Sequence, residues 1–221
     1  MRIIAFAGPK SCGKDTAARY LLARNSLLKN QLFRQLNFAE TLKLTLELMF
    51  GYTPAELNDA ALKEVMIDRW PAKTPRDIMQ NFANLMRTMY AQDIFVRAWV
   101  RKAMLLGSDK NCILVTDLRH PEELEKLREL GAKIIYVDNP KVEAERVAGR
   151  AAGDPLWSDS SEAFADLMRQ EADAVVYNDG EGFQKLYDHV HQAVLQLYGD
   201  WKDWQELAAP DPFQPQSPTI L

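Results

Sequence analysis

The sequence predicts an α/β protein in which a mainly parallel, five-stranded sheet lies between two layers of helices. Short β-branched or aromatic runs alternate with longer amphipathic segments, which is the order that a parallel sheet requires. The 221 residues, of which 47% are hydrophobic and 26% charged, suffice to bury one full core. The first apolar run leads directly into a glycine-containing turn and a helix, so the chain opens with a strand, a loop and a helix.

Five segments have the composition of strands, separated by amphipathic stretches that suit crossover helices. These segments are RIIAFA from Arg2, FRQLNF from Phe33, CILVT from Cys112, KIIYV from Lys133 and AVVYN from Ala174. The clearest helix, HPEELEKLRELG, has Pro121 and two glutamates in its first turn and Gly131 at its end, as helix termini favour. It joins two apolar strands, as a right-handed crossover should.

Two segments differ from this core. Residues 53–106 have a helical pattern that only RWPAKTPRD interrupts, and we interpret them as a helical substrate-side insertion in a domain formed by residues 1–198. The tail, residues 199–221, has four prolines among its last twelve residues, so it lies extended on the surface or is disordered. Its aromatic residues could dock it on the body or on a second subunit in a homodimer: Trp201, Trp204 and Phe213.

Charge and cysteine content argue against several classes of partner and site. The 27 basic and 31 acidic residues give a formal charge of −4, which offers no general attraction for nucleic acid or anionic membrane. Cys12 and Cys112 are the only cysteines, and their context indicates neither a disulfide framework nor a zinc site. No apolar segment approaches membrane-spanning length, and the first one is too short for a signal peptide. A reducing cytoplasm is therefore the expected compartment.

The strongest motif is GPKSCGKDT, which begins directly after the first strand. Gly8, Gly13 and Lys14 match the phosphate-binding pattern G-x-x-x-x-G-K-[ST], and the motif opens the amphipathic helix GKDTAARYLLA. Backbone N–H groups of such a turn, the helix N-terminus and the lysine charge together suit a nucleotide β-phosphate. The alternative is a glycine turn that merely joins strand to helix. The ATP contacts predicted for the loop are Gly8, Lys10, Ser11, Cys12, Gly13, Lys14, Asp15 and Thr16.

Asp15 occupies the position where the pattern has Ser or Thr. A carboxylate is a good partner for Mg²⁺ or for its bound waters, and Thr16 supplies a hydroxyl one position later. In the other interpretation Asp15 points at the substrate, and Lys14 and any bound magnesium offset its repulsion from phosphate. The residues by themselves leave both roles open.

The loop GPKSC followed by GKDT resembles that of bacteriophage deoxynucleoside monophosphate kinases, which have Asp at this position. FAETLK, TPRDIMQNF, VTDLRHPEE, SSEAF and ADAVVYNDG are similar to further segments of that family, so the resemblance covers roughly residues 1–198. The sequence departs from the family pattern at Ala83 and Asn84, where a Gly-Thr pair is expected, and at Asp159, where a His is expected. These departures concern substrate choice more than the reaction class.

The resemblance implies a P-loop NTPase three-layer fold and transfer of the γ-phosphate of ATP, with Mg²⁺ as the cofactor, to a deoxynucleoside monophosphate. The implied setting is phage nucleotide supply in the cytoplasm of a host cell. One alternative is another small-molecule P-loop kinase, of the phosphomevalonate or dephospho-coenzyme A type. The other is a non-catalytic ATP-binding module that uses the tail as a partner-binding arm.

Phosphoryl transfer needs two anionic groups held in line with their charge neutralised, so charged side chains at strand ends are the candidates. Asp117 follows an apolar strand and Arg119 lies two residues later, at the carboxyl edge where open α/β sheets bind ligands. In the resemblance this pair faces the substrate and the metal, whereas the plain alternative is an N-cap and a solvated arginine. Lys43 is assigned to the substrate only through the segment FAETLK, and is otherwise a solvated helix lysine.

Further substrate candidates lie one turn apart at a predicted helix start. Arg76 could grip the monophosphate in a bidentate fork while Gln80 touches the base. Arg87 belongs to the same group, although the methionines and tyrosine around it are typical of core. The turn YNDG, with Asn178, is predicted to pack against adenine, although the same residues are common in plain turns.

A mobile lid is predicted over about residues 140–165. Arg146 and Arg150 lie four residues apart ahead of a loop rich in Gly, Pro and Ser, and are predicted to act in catalysis by approaching the transferring phosphoryl group. The alternative is salt bridging on the helix surface with Glu143 and Glu145.

Overall fold

A computed structural model describes residues 1–27, 32–108, 111–154, 157 and 163–199, and it confirms the predicted α/β fold with a five-stranded parallel sheet. The strands are β1 Arg2–Ala7, β2 Phe33–Gln35, β3 Cys112–Val115, β4 Lys133–Asp138 and β5 Ala174–Tyr177. Their order across the sheet is β2-β3-β1-β4-β5, and each neighbouring pair is parallel. The carboxyl ends of the strands therefore meet at one edge of the sheet.

Helices connect the strands and cover both faces of the sheet. The described helices are α1 Lys14–Ala23, α2 Glu40–Phe50, α3 Pro54–Asn58, α4 Pro75–Met89, α5 Ile94–Leu106, α6 Pro121–Glu129, α7 Pro140–Ala151, α8 Ala165–Gln170 and α9 Gln184–Leu197. Short 3₁₀ turns occur at Arg24–Leu27 and Leu62–Glu64. Helix α6 has the predicted ends, because Pro121 begins it and Gly131 follows it with a left-handed φ of 72°.

The core lies in two layers, one on each face of the sheet. Successive side chains of a strand point to opposite faces, so Ile4 and Phe6 pack with α1 and α9, while Ile3 and Ala5 pack with α5 and α6. Trp99 of α5 is fully buried, and its indole N–H donates to the carbonyl oxygen of Leu36 at 2.9 Å. The result is the helix–sheet–helix sandwich that the sequence predicts.

The segment predicted as a helical insertion contains α3, the second 3₁₀ turn, α4 and α5. Thr53 and Thr74 cap α3 and α4, and each is followed by a proline at the first helical position. A third apolar cluster packs these helices against α2: Leu42, Leu46, Tyr52, Leu57, Ile67, Ala83 and Phe95. This cluster fixes the position of α2 and α4 relative to each other.

Parts of the predicted lid and tail lie outside the described residues. These are residues 155–156 and 158–162 of the lid, which include Asp159, and residues 200–221 of the tail. The division of the chain into domain, insertion, lid and tail therefore stays a prediction. Among the described helices, none is long and apolar enough to cross a membrane.

Candidate active site

The loop of residues 8–13 joins β1 to α1 at the carboxyl edge of the sheet. Gly8 has a φ of 136° and Gly13 a φ of 112°, a backbone region that favours glycine. A Cβ atom on Gly8 would lie 2.7 Å from the carbonyl oxygen of Val137, and one on Gly13 would lie 2.5 Å from Nδ2 of Asn178. Both glycines of the motif are therefore required by the path of the backbone, whatever the loop binds.

Lys14, the first residue of α1, keeps its charge inside the loop. The residue is only 6% exposed, and Nζ donates to the carbonyl oxygens of Gly8 at 2.7 Å and Pro9 at 2.6 Å. The N-terminus of α1 adds partial positive charge at the same place. The combination suits neutralisation of a phosphate bound over the loop.

Asn178 follows β5 and supports the loop from the side. Its Nδ2 donates to the carbonyl oxygen of Cys12 at 2.8 Å, and its backbone N–H donates to the carbonyl oxygen of Asp138 at 2.8 Å. The side-chain amide thus ties the loop to the end of β5, a positioning role that the sequence did not reveal. Its contact with adenine stays a prediction.

Asp15 lies exposed in the first turn of α1, directly after Lys14. Together with the Thr16 hydroxyl it offers hard oxygen atoms of the kind that Mg²⁺ binds. Within the described residues no three His, Cys, Asp or Glu side chains gather into a metal cage. A magnesium ion at Asp15 would therefore take most of its ligands from nucleotide phosphates and water, as this ion commonly does. The negative charge of Asp15 also acts on Lys63, a residue of the segment predicted as the substrate-side insertion. The substrate-facing role of Asp15 therefore stays open too.

Asp117 anchors the segment that leads from β2 into α2. Its Oδ1 accepts a hydrogen bond from the backbone N–H of Phe38 at 3.0 Å, and Oδ2 accepts one from Ala39 at 2.9 Å. Burial raises the pKa of this carboxyl, although the two amides favour its ionised form. Because the backbone engages both oxygens, Asp117 has a positioning role, and its contacts with substrate or metal stay predictions.

Glu123 belongs to the site although the sequence indicated only a favourable charge at a helix start. The residue is 4% exposed, and its Oε2 accepts from the backbone N–H groups of Arg119 at 2.9 Å and His120 at 3.0 Å. Glu123 thereby fixes the turn that carries Arg119. Burial, with a smaller contribution from Asp117, raises the pKa of the Glu123 carboxyl to about 8. Its place at the third position of α6, where glutamate closes a capping box, was the available sequence signal.

The raised pKa of Glu123 predicts a pH-dependent stability. In the unfolded chain this carboxyl ionises near its ordinary value of 4.5, whereas in the fold it keeps its proton up to about pH 8. Its protonation therefore stabilises the fold at low pH, and this contribution is lost progressively as the pH rises from about 4.5 to 8. We expect the Tm of Glu123→Gln to fall less between pH 5 and 8 than the wild-type Tm, because glutamine does not titrate.

Thermal unfolding followed by circular dichroism measures this difference. Glu125→Gln is the matched control, since Glu125 is exposed on the same helix and should leave the slope unchanged. Parallel curves of Tm against pH for wild type and Glu123→Gln would contradict the prediction.

The positive charges of three residues act on that of Lys63, and we call these four cations the cation cluster: Lys43, Lys63, Arg76 and Arg119. They come from α2, the 3₁₀ turn Leu62–Glu64, α4 and the segment after β3. Lys43 Nζ donates to Oδ1 of Asn58 at 2.7 Å, and Arg76 Nε lies 2.5 Å from Oε1 of Glu64. Sequence reasoning missed Lys63, because a single lysine between Leu62 and Glu64 carries no motif.

A cavity of about 140 Å³ lies beside the cation cluster, between α2, α4, α5 and the segment after β3. Arg87 lines it, with the guanidinium carbon 5.3 Å from the ring centroid of Phe95. Asp117 and Glu123 also line it. Gln80 lies on α4 two turns before Arg87. Substrate contacts of Gln80 and Arg87 stay predictions.

Arg146 and Arg150, the predicted lid arginines, lie on α7 next to carboxylates. Arg146 is 3% exposed and pairs with Glu143 at 2.7 Å and Asp166 at 2.6 Å. Arg150 Nη1 lies 4.0 Å from a carboxylate oxygen of Asp166. The pair with Glu143 is the alternative contact that the sequence suggested, and Arg146 must leave both carboxylates to reach a phosphate. The catalytic roles of both arginines stay predictions.

The chain is similar in sequence and fold to proteins described as kinases. Residues 54–190 match the family model for deoxynucleotide monophosphate kinase. A protein of Acanthamoeba polyphaga mimivirus named "Putative deoxynucleotide monophosphate kinase" is 27% identical over 157 residues, which cover 66% of this chain and 78% of that protein. The solved structure of dephospho-CoA kinase from Campylobacter jejuni superposes with a TM-score of 0.51 at 14% identity, covering 90% of this chain and 99% of that one. At this identity the structural likeness shows a shared fold alone.

Proposed function

Because the chain belongs to the deoxynucleotide monophosphate kinase family, we propose that it transfers the γ-phosphate of ATP to a deoxynucleoside monophosphate, which yields ADP and the diphosphate. The observation that carries the proposal is a pair of neighbouring cationic sites, the loop with Lys14 and the cation cluster. The charge of Arg119 acts on Cys12 in the loop, and that of Asp15 acts on Lys63 in the cluster. Two such sites suit two phosphorylated substrates whose reacting groups must meet.

The proposed reaction depends on positioning and charge neutralisation more than on covalent chemistry by the protein. The loop N–H groups and Lys14 hold the β- and γ-phosphates of ATP, and the cation cluster holds the phosphate of the acceptor. An oxygen of the acceptor phosphate forms the new bond to the γ-phosphorus while the bond to the departing ADP breaks. Arg146 and Arg150 would then exchange their carboxylate partners for the transferring group as the lid closes.

Magnesium bound with ATP would neutralise further phosphate charge, and Asp15 with Thr16 is a pair of side chains that suits it. The proposal includes a role in phage nucleotide supply, in the cytoplasm of a host cell. The support for that setting is the resemblance of the loop to those of phage enzymes.

Release of ADP by the purified protein, measured with Mg-ATP and a panel of ribo- and deoxynucleoside monophosphates, tests the proposal. Phosphomevalonate and dephospho-coenzyme A belong in the same panel, because a P-loop kinase for either would have an equally suitable loop. Turnover with a deoxynucleoside monophosphate supports the proposal. Turnover with only the other acceptors, or ATP binding without any transfer, contradicts it.

Asp15 is expected to reveal its role through the magnesium dependence of the rate. A carboxylate that holds magnesium, directly or through water, changes the apparent affinity for the ion when it is replaced by Asn, whereas a substrate-facing carboxylate does not. We favour the metal interpretation because Asp15 directly follows Lys14. Under it, Asp15→Asn should need a higher concentration of free magnesium to reach half of its maximal rate. Asp15→Ser should keep much of the activity with a shifted magnesium requirement.

The measurement is the initial rate against free magnesium at saturating ATP, together with the acceptor KM of each variant. Asp188→Asn, an exposed carboxylate on α9, serves as the control for loss of one negative charge. An unchanged magnesium curve with a large rise in acceptor KM would move Asp15 to the substrate side.

A further inference from the structure

Lys63 is a half-buried lysine whose side chain forms no hydrogen bond or ion pair within the described part of the chain. The exposed Lys185, by contrast, lies 2.8 Å from Asp179 and 3.1 Å from Glu181. A lysine that loses part of its hydration without gaining a carboxylate within hydrogen-bonding distance is in an unfavourable arrangement in the free protein. Such an arrangement suggests that a bound anion supplies the missing partner.

The turn that carries Lys63 is held firmly. Oδ1 of Asp59 accepts from the backbone N–H groups of Ala61 at 2.8 Å and Leu62 at 2.9 Å, and the N–H of Lys63 donates to the carbonyl oxygen of Asp59 at 3.2 Å. Its neighbour Glu64 is engaged by Arg76 at 2.5 Å. The backbone of Lys63 is therefore fixed between α3 and α4. A ligand could bind the lysine without a rearrangement of this part of the backbone.

The charges around Lys63 are mostly of its own sign. Lys43, Arg76 and Arg119 act on it from α2, α4 and the segment after β3, and they are opposed by Asp15 of α1 and by the carboxylate of Asp59. Burial first and these cations second lower the pKa of the Lys63 ammonium to about 8. A group with two negative charges relieves this repulsion more than a singly charged or neutral group does. A phosphate monoester is such a group at neutral pH, because its second pKa is about 6.

We propose that Lys63 binds the phosphate of the acceptor and thereby makes the site selective for a dianionic phosphate monoester over an acceptor that lacks this group. Lys43, Arg76 and Arg119 are the other cations available to this phosphate, and Arg76 is next to Lys63 because it pairs with Glu64 at 2.5 Å. The inference deepens the proposed function and rests on it, since it assigns the cation cluster to the acceptor and not to ATP.

The test compares Lys63→Ala and Lys63→Arg with the wild type, using the deoxynucleoside monophosphate that the wild type phosphorylates fastest. For Lys63→Ala we expect the acceptor KM to rise about ten- to a hundredfold, the usual effect of losing a hydrogen bond to a charged group. The KM for ATP should stay within about twofold, because the contact lies outside the loop. Lys63→Arg should recover most of the acceptor affinity, which a purely structural role of the lysine would not require.

Lys73→Ala is the matched control, because Lys73 is exposed in the same helical segment. An unchanged acceptor KM in folded Lys63→Ala overturns the inference, and so does an equal rise in the KM values for acceptor and ATP. A Lys63→Arg variant as impaired as Lys63→Ala also overturns it.

Calorimetric binding of deoxynucleoside monophosphates without ATP separates the two proposals. If the wild type phosphorylates none of them, the proposed function fails, and the binding data alone then decide the role of Lys63. Wild-type binding that Lys63→Ala weakens tenfold or more supports that role, and absent or unchanged binding overturns it. If the wild type does turn over a monophosphate and the Lys63→Ala variant keeps its KM, only the role of Lys63 fails.

Discussion

Replacement of Lys14 by alanine is expected to lower kcat with Mg-ATP by about 10²-fold or more while the protein remains folded. The change removes a positive charge that the structure holds inside the loop, within 2.7 Å of two backbone carbonyl oxygens. Charge that develops on the phosphates during transfer would then face only the N–H groups and the end of α1. A charge already in place costs no rearrangement during the reaction, and so its loss affects the rate strongly.

The control must separate loss of charge from loss of loop structure, because the Lys14 ammonium also bonds to the carbonyl oxygens of Gly8 and Pro9. Lys14→Met keeps most of the side-chain volume without the charge, and it should be as impaired as Lys14→Ala. Lys185→Ala removes an exposed, ion-paired lysine and should leave kcat unchanged. A folded Lys14→Ala protein, verified by its Tm, with a near wild-type rate would show that the loop does not bind the phosphate donor.

Replacement of Arg76 by alanine is expected to raise the acceptor KM with little change in the affinity for ATP. A guanidinium that grips the monophosphate contributes about 1.5 to 3 kcal/mol to its binding, which corresponds to roughly ten- to a hundredfold in KM. The structure places Arg76 in the cation cluster, on a helix of the segment that also carries Lys63, and apart from the loop. Initial rates against acceptor at saturating ATP, and against ATP at saturating acceptor, separate the two affinities.

Arg97→Ala provides the matched control for Arg76→Ala. Arg97 also pairs through Nε with a carboxylate, 2.9 Å from Asp93, but it lies exposed on α5. Surface ion pairs of this kind contribute little stability, so neither variant should unfold the protein. Equal losses of ATP and acceptor affinity in Arg76→Ala would place this arginine at a different part of the site.

The sequence indicated the strands, the loop and several helix ends because their signals are local. A glycine-rich turn between an apolar strand and an amphipathic helix contains its whole geometry within about ten residues. The structure shows Gly8 and Gly13 with φ angles of 136° and 112°, a backbone region that favours glycine, as the motif predicts. Likewise, Thr74 followed by Pro75 begins α4 in the structure, as such a pair favours.

The strand β2 was located by the sequence but not delimited by it. FRQLNF has a strand composition over six residues, yet only Phe33–Gln35 pair with β3. The carboxylate of Asp117 instead accepts hydrogen bonds from the backbone N–H groups of Phe38 and Ala39. A contact between positions almost eighty residues apart decides where this strand ends, and no local pattern contains it.

By itself, then, the sequence determined the parallel α/β fold and the phosphate-binding pattern of the loop, since both depend on short-range periodicity and on backbone conformations that few residue types adopt. Only the tertiary structure decided which groups lie near each charged side chain. Lys63 lies near other cations, Arg146 pairs with Glu143 and Asp166, and Glu123 accepts from the backbone N–H of Arg119. The physical reason is that electrostatic interactions and burial depend on distance in space. That distance is set by the packing of α2, α4 and the sheet edge, which separate segments of the chain bring together.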